Sequence, residues 1–217
     1  MLKITSLHTA AMAFERLRGL HTSQVVQLAT VGLAHPERVD YHPSGWLSLR
    51  ALLPPREVSA ADVFADIGAG KGRVVYQAAR RYGLKRVIGV ELSPDLAEEA
   101  RTNLERNRAR LRCHDVEIVT GDALAWEVPD DLTIAYMFRP FTGATFRAVV
   151  DNLIASHDRA PRRLRILYVN PEEHDALMAT GRIRELPRRM GLIPRLQRYD
   201  QHWARAYEVT PRSSASS

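Results

Sequence analysis

An open sheet of mainly parallel strands, covered by helices on both faces, is the fold this sequence predicts: a three-layer α/β sandwich of seven strands, ending in an antiparallel hairpin. Three observations predict it. From residue 62 onward, short apolar runs alternate with helix-length segments, the signature of βαβ units. The runs, among them DVFADI, RVIGV and LRILYV, are apolar nearly throughout rather than at every second residue, as in strands buried on both faces. The first run ends in a glycine-rich turn, Gly68-Ala69-Gly70-Lys71-Gly72, that leads into a helical pattern.

In order, residues 62–67 are read as the first strand and 68–72 as its turn. Residues 73–82 have helical character, with Gly83 expected as the C-terminal cap. Residues 86–90 form the second strand. Ser93 and Pro94 then open a long helix. The serine hydroxyl can accept from an unpaired backbone N–H, and proline at the first helical position has no N–H to leave unpaired. Residues 116–120, 132–138 and 164–169 are three further strands, with helices expected over 145–156 and 172–180. Residues 183–186 and 204–209 fit a closing hairpin. Before residue 60 the pattern changes, and helices are expected over 22–33 and 44–53. The domain reading is therefore a helical cap or lid over 1–60, a core over 61–210, and a polar, disordered tail over 211–217 (PRSSASS).

Composition excludes several classes. An apolar fraction of 45% suits a globular core, and no apolar run approaches the ~20 residues of a membrane span. The N-terminus lacks the pattern of a secretory leader, so a cytoplasmic protein is expected. A single cysteine, Cys113, excludes an internal disulfide and a multi-cysteine zinc site. The eight histidines show no H-E-x-x-H motif, so no metal is expected. The net charge of +6 invites a nucleic-acid partner, but 28 of the 31 basic residues are arginine. They are spread along the chain among Asp and Glu, as on a solvated surface, so nucleic acid is not favoured. No membrane partner is expected either.

The chemistry is concentrated at the carboxyl ends of the predicted parallel strands, where ligands gather in open sheets. The first strand carries Asp66 near its end, two residues before the G-x-G-x-G turn. Glycines let the backbone approach a ligand closely, and the helix that follows offers unpaired N–H groups. This is neither the G-x-G-x-x-G of dinucleotide folds nor the G-K-[ST] of a phosphate loop, since Arg73 follows Gly72. The second strand ends in Glu91 with Leu92 after it, and a carboxylate there can accept from a diol. The third is followed by Gly121-Asp122-Ala123, and an acid there can accept from an amino group. The fourth closes on Tyr136-Met137-Phe138-Arg139-Pro140-Phe141.

Together these segments, over about residues 60–170, resemble the class I, Rossmann-like S-adenosylmethionine-dependent methyltransferases. The resemblance implies S-adenosyl-L-methionine as cofactor. It places Asp66, Gly68, Gly70 and Gly72 around the methionine portion, Glu91 at the ribose and Asp122 by the adenine, with Ala69, Lys71, Leu92 and Ala123 as further cofactor contacts. Within that family the closer likeness is to small bacterial enzymes whose core resembles the non-SET histone-lysine methyltransferases, with a looser parallel in the N-terminal segment. In these, a segment like 39–46 folds over the cofactor. That implies contacts from Tyr41 and Ser44, while Trp46 is read as core.

The fourth-strand motif bears on the acceptor. Methyltransferases acting on base amino groups carry an Asn or Asp where this chain has Arg139. Arginine only donates hydrogen bonds, so amino-base methylation is disfavoured. Arg139 and Phe138 are candidate substrate-binding residues, with Arg139 as an anchor for an anion or, alternatively, pairing with a surface acid. His42 and Tyr136 are candidates for a general base. A small-molecule acceptor carrying an acidic or anionic group is the leading expectation. The alternatives are a protein (lysine-type) or RNA methyltransferase, a non-catalytic cofactor-binding module, and a dinucleotide oxidoreductase.

Overall fold

A computed structural model describes residues 12, 13, 15–187 and 204–212. The strands are β1 (Val63–Ile67), β2 (Arg86–Glu91), β3 (Val116–Thr120), β4 (Ile134–Phe138), β5 (Arg165–Val169), β6 (Ile183–Glu185) and β7 (Ala204–Val209). Residues 15–18 are helical, and the α-helices that follow among the described residues are α1 (Ser48–Leu52), α2 (Arg73–Arg81), α3 (Pro94–Glu105), α4 (Gly143–Arg159) and α5 (His174–Ala179). The seven strands form one sheet in the order β3-β2-β1-β4-β5-β7-β6. The pairs β2–β3, β1–β2, β1–β4 and β4–β5 are parallel, and β7 runs antiparallel to both β5 and β6. This is the Rossmann-like arrangement expected from the sequence, hairpin included.

The strand residues sort by parity, because successive side chains leave opposite faces of a sheet. Phe64, Ile134, Tyr136 and Leu167 pack on one face with Val74, Val75 and Ala78 of α2 and Ala97 and Ala100 of α3. Val63, Ala65, Ala135, Met137, Ile166 and Tyr168 pack on the other with Phe146, Val149, Val150 and Leu153 of α4. Both faces are covered, which is why the strands read as continuous apolar runs. Since β1 pairs with β2 on one side and β4 on the other, the sheet reverses its winding between β1 and β4. A crevice opens at the carboxyl ends of those two strands.

Several local expectations need correction. Ser93 caps α3, its side chain accepting from the Leu96 N–H, with Pro94 in the first turn as expected. Gly83 does not cap α2. The chain leaves that helix in extended conformation at Tyr82, whose hydroxyl donates to the Leu53 carbonyl at 2.5 Å and draws the end of α2 to the N-terminal segment. The helix expected over 22–33 is a single 3-10 turn, Leu28–Val31, and the one over 44–53 shrinks to α1. Val26 instead forms an antiparallel bridge with Tyr41. Tertiary pairing prevails over weak helical propensity in this segment. The expected helix over 172–180 is the shorter α5, and that over 145–156 is the longer α4. Of the expected disordered tail, residues 213–217 lie outside the described residues.

Candidate active site

The glycine turn after β1 is held by its neighbours. The Gly68 and Ala69 N–H groups donate to the Val90 carbonyl at 2.9 and 3.0 Å, tying the turn to the end of β2. The Gly70 N–H donates to Glu91 Oε2 at 2.7 Å, and the Ser93 N–H donates to Oε1 at 2.9 Å. Glu91 thus clamps the turn to the start of α3 and keeps further acceptor capacity on each oxygen. All three glycines of the turn are obligatory, and a Cβ on Gly68, at φ +81°, would lie 2.5 Å from the Pro140 Cβ. Gly70 has φ +54° with the Tyr41 ring against its Cα, and Gly72 has φ +75° with the Ala100 Cβ within 2.9 Å of where its own Cβ would be. A side chain at any of the three would be strained and would also collide.

A cleft lies over these strand ends. Its floor includes Asp66, Gly68, Ala69, Glu91, Leu92, Asp122 and Ala123, with Phe138, Arg139, Pro140 and Phe141 at the β4 end. Its outer wall is the N-terminal segment, including Arg38, Val39, Tyr41, His42 and Ser44. Thus three acids from the ends of three adjacent strands face one space. Burial pushes the Asp66 carboxyl well above the usual carboxylate range, and the charge of Glu91 adds to this. Burial also raises Glu91, against the opposing effect of the backbone N–H groups of Ser93 and Gly70. Such a donor-poor, acid-rich floor suits a ligand that brings hydroxyls, an amine and positive charge.

Not every expected residue reaches the cleft. Gly70 and Gly72 shape the turn without lining the space, and Gly70 is covered by Tyr41. Lys71 is buried, and its Nζ pairs with Glu99 of α3 at 2.9 Å, away from the cleft. The sequence places this lysine in the turn, but the helix that follows directs it backward. Tyr136 is fully buried in the sheet face, and its hydroxyl lies 3.0 Å from Ser44 Oγ as a hydrogen-bond donor. It is not a cleft-lining base. His42 lines the cleft and is exposed. Trp46 packs against the core, edge-on to Tyr76, with the Arg73 guanidinium 4.9 Å from its ring centre. Arg139 lines the cleft at φ +41°, and its Nη1 forms an ion pair with Glu172, so the surface acid of the alternative reading is present.

Other residues carry the site without having been picked out in the sequence. Arg73, directly after the glycine turn, is buried at the centre of a polar hub. It donates to Thr22 Oγ1 and the Ser44 carbonyl at 2.8 Å each, to Ser23 Oγ at 2.9 Å and to the buried Glu15 carboxylate. Burial lowers its pKa, and Glu15 opposes that. Arg38 reaches Asp122 at 3.4 Å. Only the position of Arg73 beside the turn offered a sequence signal. Arg38 has none, since its partner lies 84 residues away. Among the described residues no cluster of His, Cys, Asp or Glu fits a metal ion, and no helix is long and apolar enough to cross a membrane.

Residues 64–158 match a family model described as a methyltransferase domain. A protein-lysine N-methyltransferase of Saccharolobus islandicus is 29% identical over 106 residues, a match covering 49% of this chain and 63% of that protein. A probable ribosomal RNA small subunit methyltransferase A of Methanosarcina acetivorans is 34% identical over 74 residues, covering 34% of this chain and 24% of that protein. The chain thus spans less than two thirds of these relatives. Among solved structures, the pyocyanin biosynthetic protein PhzM shares the fold with a TM-score of 0.53 and 18% identity, over 76% of this chain and 54% of that one.

Proposed function

From the premise that residues 64–158 are a methyltransferase domain of the class I, Rossmann-like type, we propose that this chain is an S-adenosylmethionine-dependent methyltransferase acting on a small molecule with an acidic or anionic group. The observation that carries the reading is the convergence of Asp66, Glu91 and Asp122, from three strand ends, on one cleft. When bound, the cofactor supplies an electrophilic methyl group on a sulfonium. Glu91 accepts from its ribose hydroxyls while holding the glycine turn, Asp122 accepts from its adenine amine, and Asp66 faces its cationic amino-acid end. Tyr41 and Ser44 close the outer wall.

The acceptor approaches from the β4 end. Phe138 and Phe141 offer flat apolar surface, and Arg139 offers a guanidinium fork of which one nitrogen is committed to Glu172. The fork therefore holds an anion by directional hydrogen bonds more than by net charge. The rate derives chiefly from alignment and exclusion of water. An acidic hydroxyl or carboxylate needs no strong base, consistent with Tyr136 being sequestered and with His42 as the remaining candidate. Arg139→Ala is expected to raise the KM for an anionic acceptor roughly ten-fold or more, leaving cofactor affinity near that of the parent. Unchanged KM and kcat would remove the anchor.

A protein-lysine acceptor is the second reading, favoured by the relative from Saccharolobus islandicus and by Glu172 as an exposed acid beside Arg139. Labelled-methyl transfer to aromatic acids compared with lysine-rich protein separates the two. RNA is less favoured, because Arg38 and Arg73 at the cleft are each paired with an acid. An RNA acceptor would show activity falling steeply with salt.

A further inference from the structure

Residues 37–41 form a strap along the outer wall of the cleft, and its anchor lies outside the cleft. The first N–H groups of α4 have no partner within the helix, and Thr142 does not cap them with its side chain. Glu37, brought from more than 100 residues away, takes that role. Its Oε1 accepts from the Ala144 N–H at 2.9 Å, and its Oε2 accepts from the Thr145 N–H at 2.9 Å and the Thr145 hydroxyl at 2.7 Å. Its own carbonyl accepts from the Thr142 N–H at 2.9 Å. A carboxylate at a helix N-terminus meets both unpaired donors and the positive end of the dipole. These donors hold the Glu37 carboxyl down to about 2, so the anchor stays ionised across the working pH range.

The rest of the strap follows from that anchor. Arg38 forms an antiparallel bridge with Phe141, and the Val39 N–H donates to the Pro140 carbonyl at 3.2 Å. Arg38 reaches Asp122 beyond β3, and Asp40 accepts from the Leu28 N–H at 2.8 Å. Tyr41 lays its ring on Gly70, with its hydroxyl donating to the Thr22 carbonyl at 2.8 Å. Glu37, Arg38, Val39 and Tyr41 thus touch the loops after β1, β3 and β4, while Asp40 ties the strap to Leu28. Glu37 itself does not line the cleft, whereas Arg38, Val39, Asp40 and Tyr41 do.

We infer that Glu37 is a positioning residue for the cofactor site: acting through the strap, it holds the outer wall closed, and cofactor exchange requires the strap to lift from the β4–α4 loop. The inference rests on the methyltransferase reading for its ligand but not for its anchor. Glu37→Gln removes the charge and keeps the shape. It is expected to weaken S-adenosylmethionine binding about ten-fold, with kcat at saturating cofactor within about two-fold of the parent. Glu37→Asp is expected to recover part of the affinity.

Limited trypsin digestion reads the strap directly. Cleavage after Arg38 should be slow in the parent protein, slower with S-adenosylmethionine, and several-fold faster in Glu37→Gln without ligand at a temperature where the variant is still folded. Equal binding together with equal cleavage after Arg38 in parent and variant overturns the inference. Should the variant not fold, absence of protection at Arg38 by cofactor in the parent protein overturns it equally. A parent protein that binds no S-adenosylmethionine would instead sink the proposed function, and the ligand-free cleavage comparison would still decide the anchor.

Discussion

At the scale of single residues, Glu91 does two jobs, of which the sequence showed one. It was legible as a ligand for a diol. The structure gives its two oxygens to the Gly70 and Ser93 N–H groups while leaving it on the cleft floor. Glu91→Gln turns one oxygen into a donor that faces an N–H, so both the turn and the ligand contact suffer. Cofactor affinity measured by calorimetry should fall ten-fold or more, about 1.4 kcal/mol or above. Arg139 shows the opposite outcome. The sequence marked it by contrast with a family motif, and only the fold could reveal that a residue 33 positions later pairs with it. Its left-handed backbone, at the end of the strand adjacent to β5, places it beside Glu172.

At the scale of elements, the strands and their order of appearance were legible because burial on both faces writes itself as apolar runs, whatever the rest of the chain does. The segment before residue 60 was not legible. Its conformation depends on bonds to distant groups: Val26 to Tyr41, Glu37 to α4, and Glu15 with Thr22, Ser23 and Ser44 to Arg73. Arg73 is the main tie between that segment and the glycine turn. Arg73→Met would leave Glu15, only 4% exposed, without its cation. Breaking one half of a buried pair costs about 3–5 kcal/mol, so urea denaturation should show a loss of that order. Adding Glu15→Leu should recover much of it, since the stranded charge is the larger part of the penalty. A small loss in the single variant would mean that the hub is well hydrated.

At the scale of the whole molecule, buried and half-buried acids set opposite pH trends. Asp66 and Glu91 have raised pKa values in the folded state, so between the ordinary carboxylate range and those raised values the folded chain holds more protons than the unfolded one. Their contribution to stability is complete below that range and is lost as pH rises through the raised values. Glu37 and Asp158 are held down to about 2, Asp158 mainly by the hydrogen bond from Arg182. Their contribution is present above the ordinary range and is lost as pH falls towards 2. Without ligand, thermal melting should therefore show greatest stability at mildly acidic pH, declining on both sides. A cationic ligand favours the ionised floor and should release protons on binding. Calorimetry in two buffers of different ionisation enthalpy would reveal this as a buffer-dependent heat, and a buffer-independent heat at the pH where Asp66 titrates would contradict it.

The sequence by itself determined the layer architecture, the seven strands, the glycine turn and the acids at the strand ends. Each of these is local: periodicity, an apolar run, or a residue at the end of a strand. Only the tertiary structure decided that Lys71 turns back to Glu99, that Tyr136 is sequestered by Ser44, that Arg139 is paired with Glu172, and that the outer wall is a strap fastened by Glu37. Those outcomes turn on which groups meet across the fold, and a side chain's partner is set by the packing of elements far apart in the chain rather than by its neighbours in sequence.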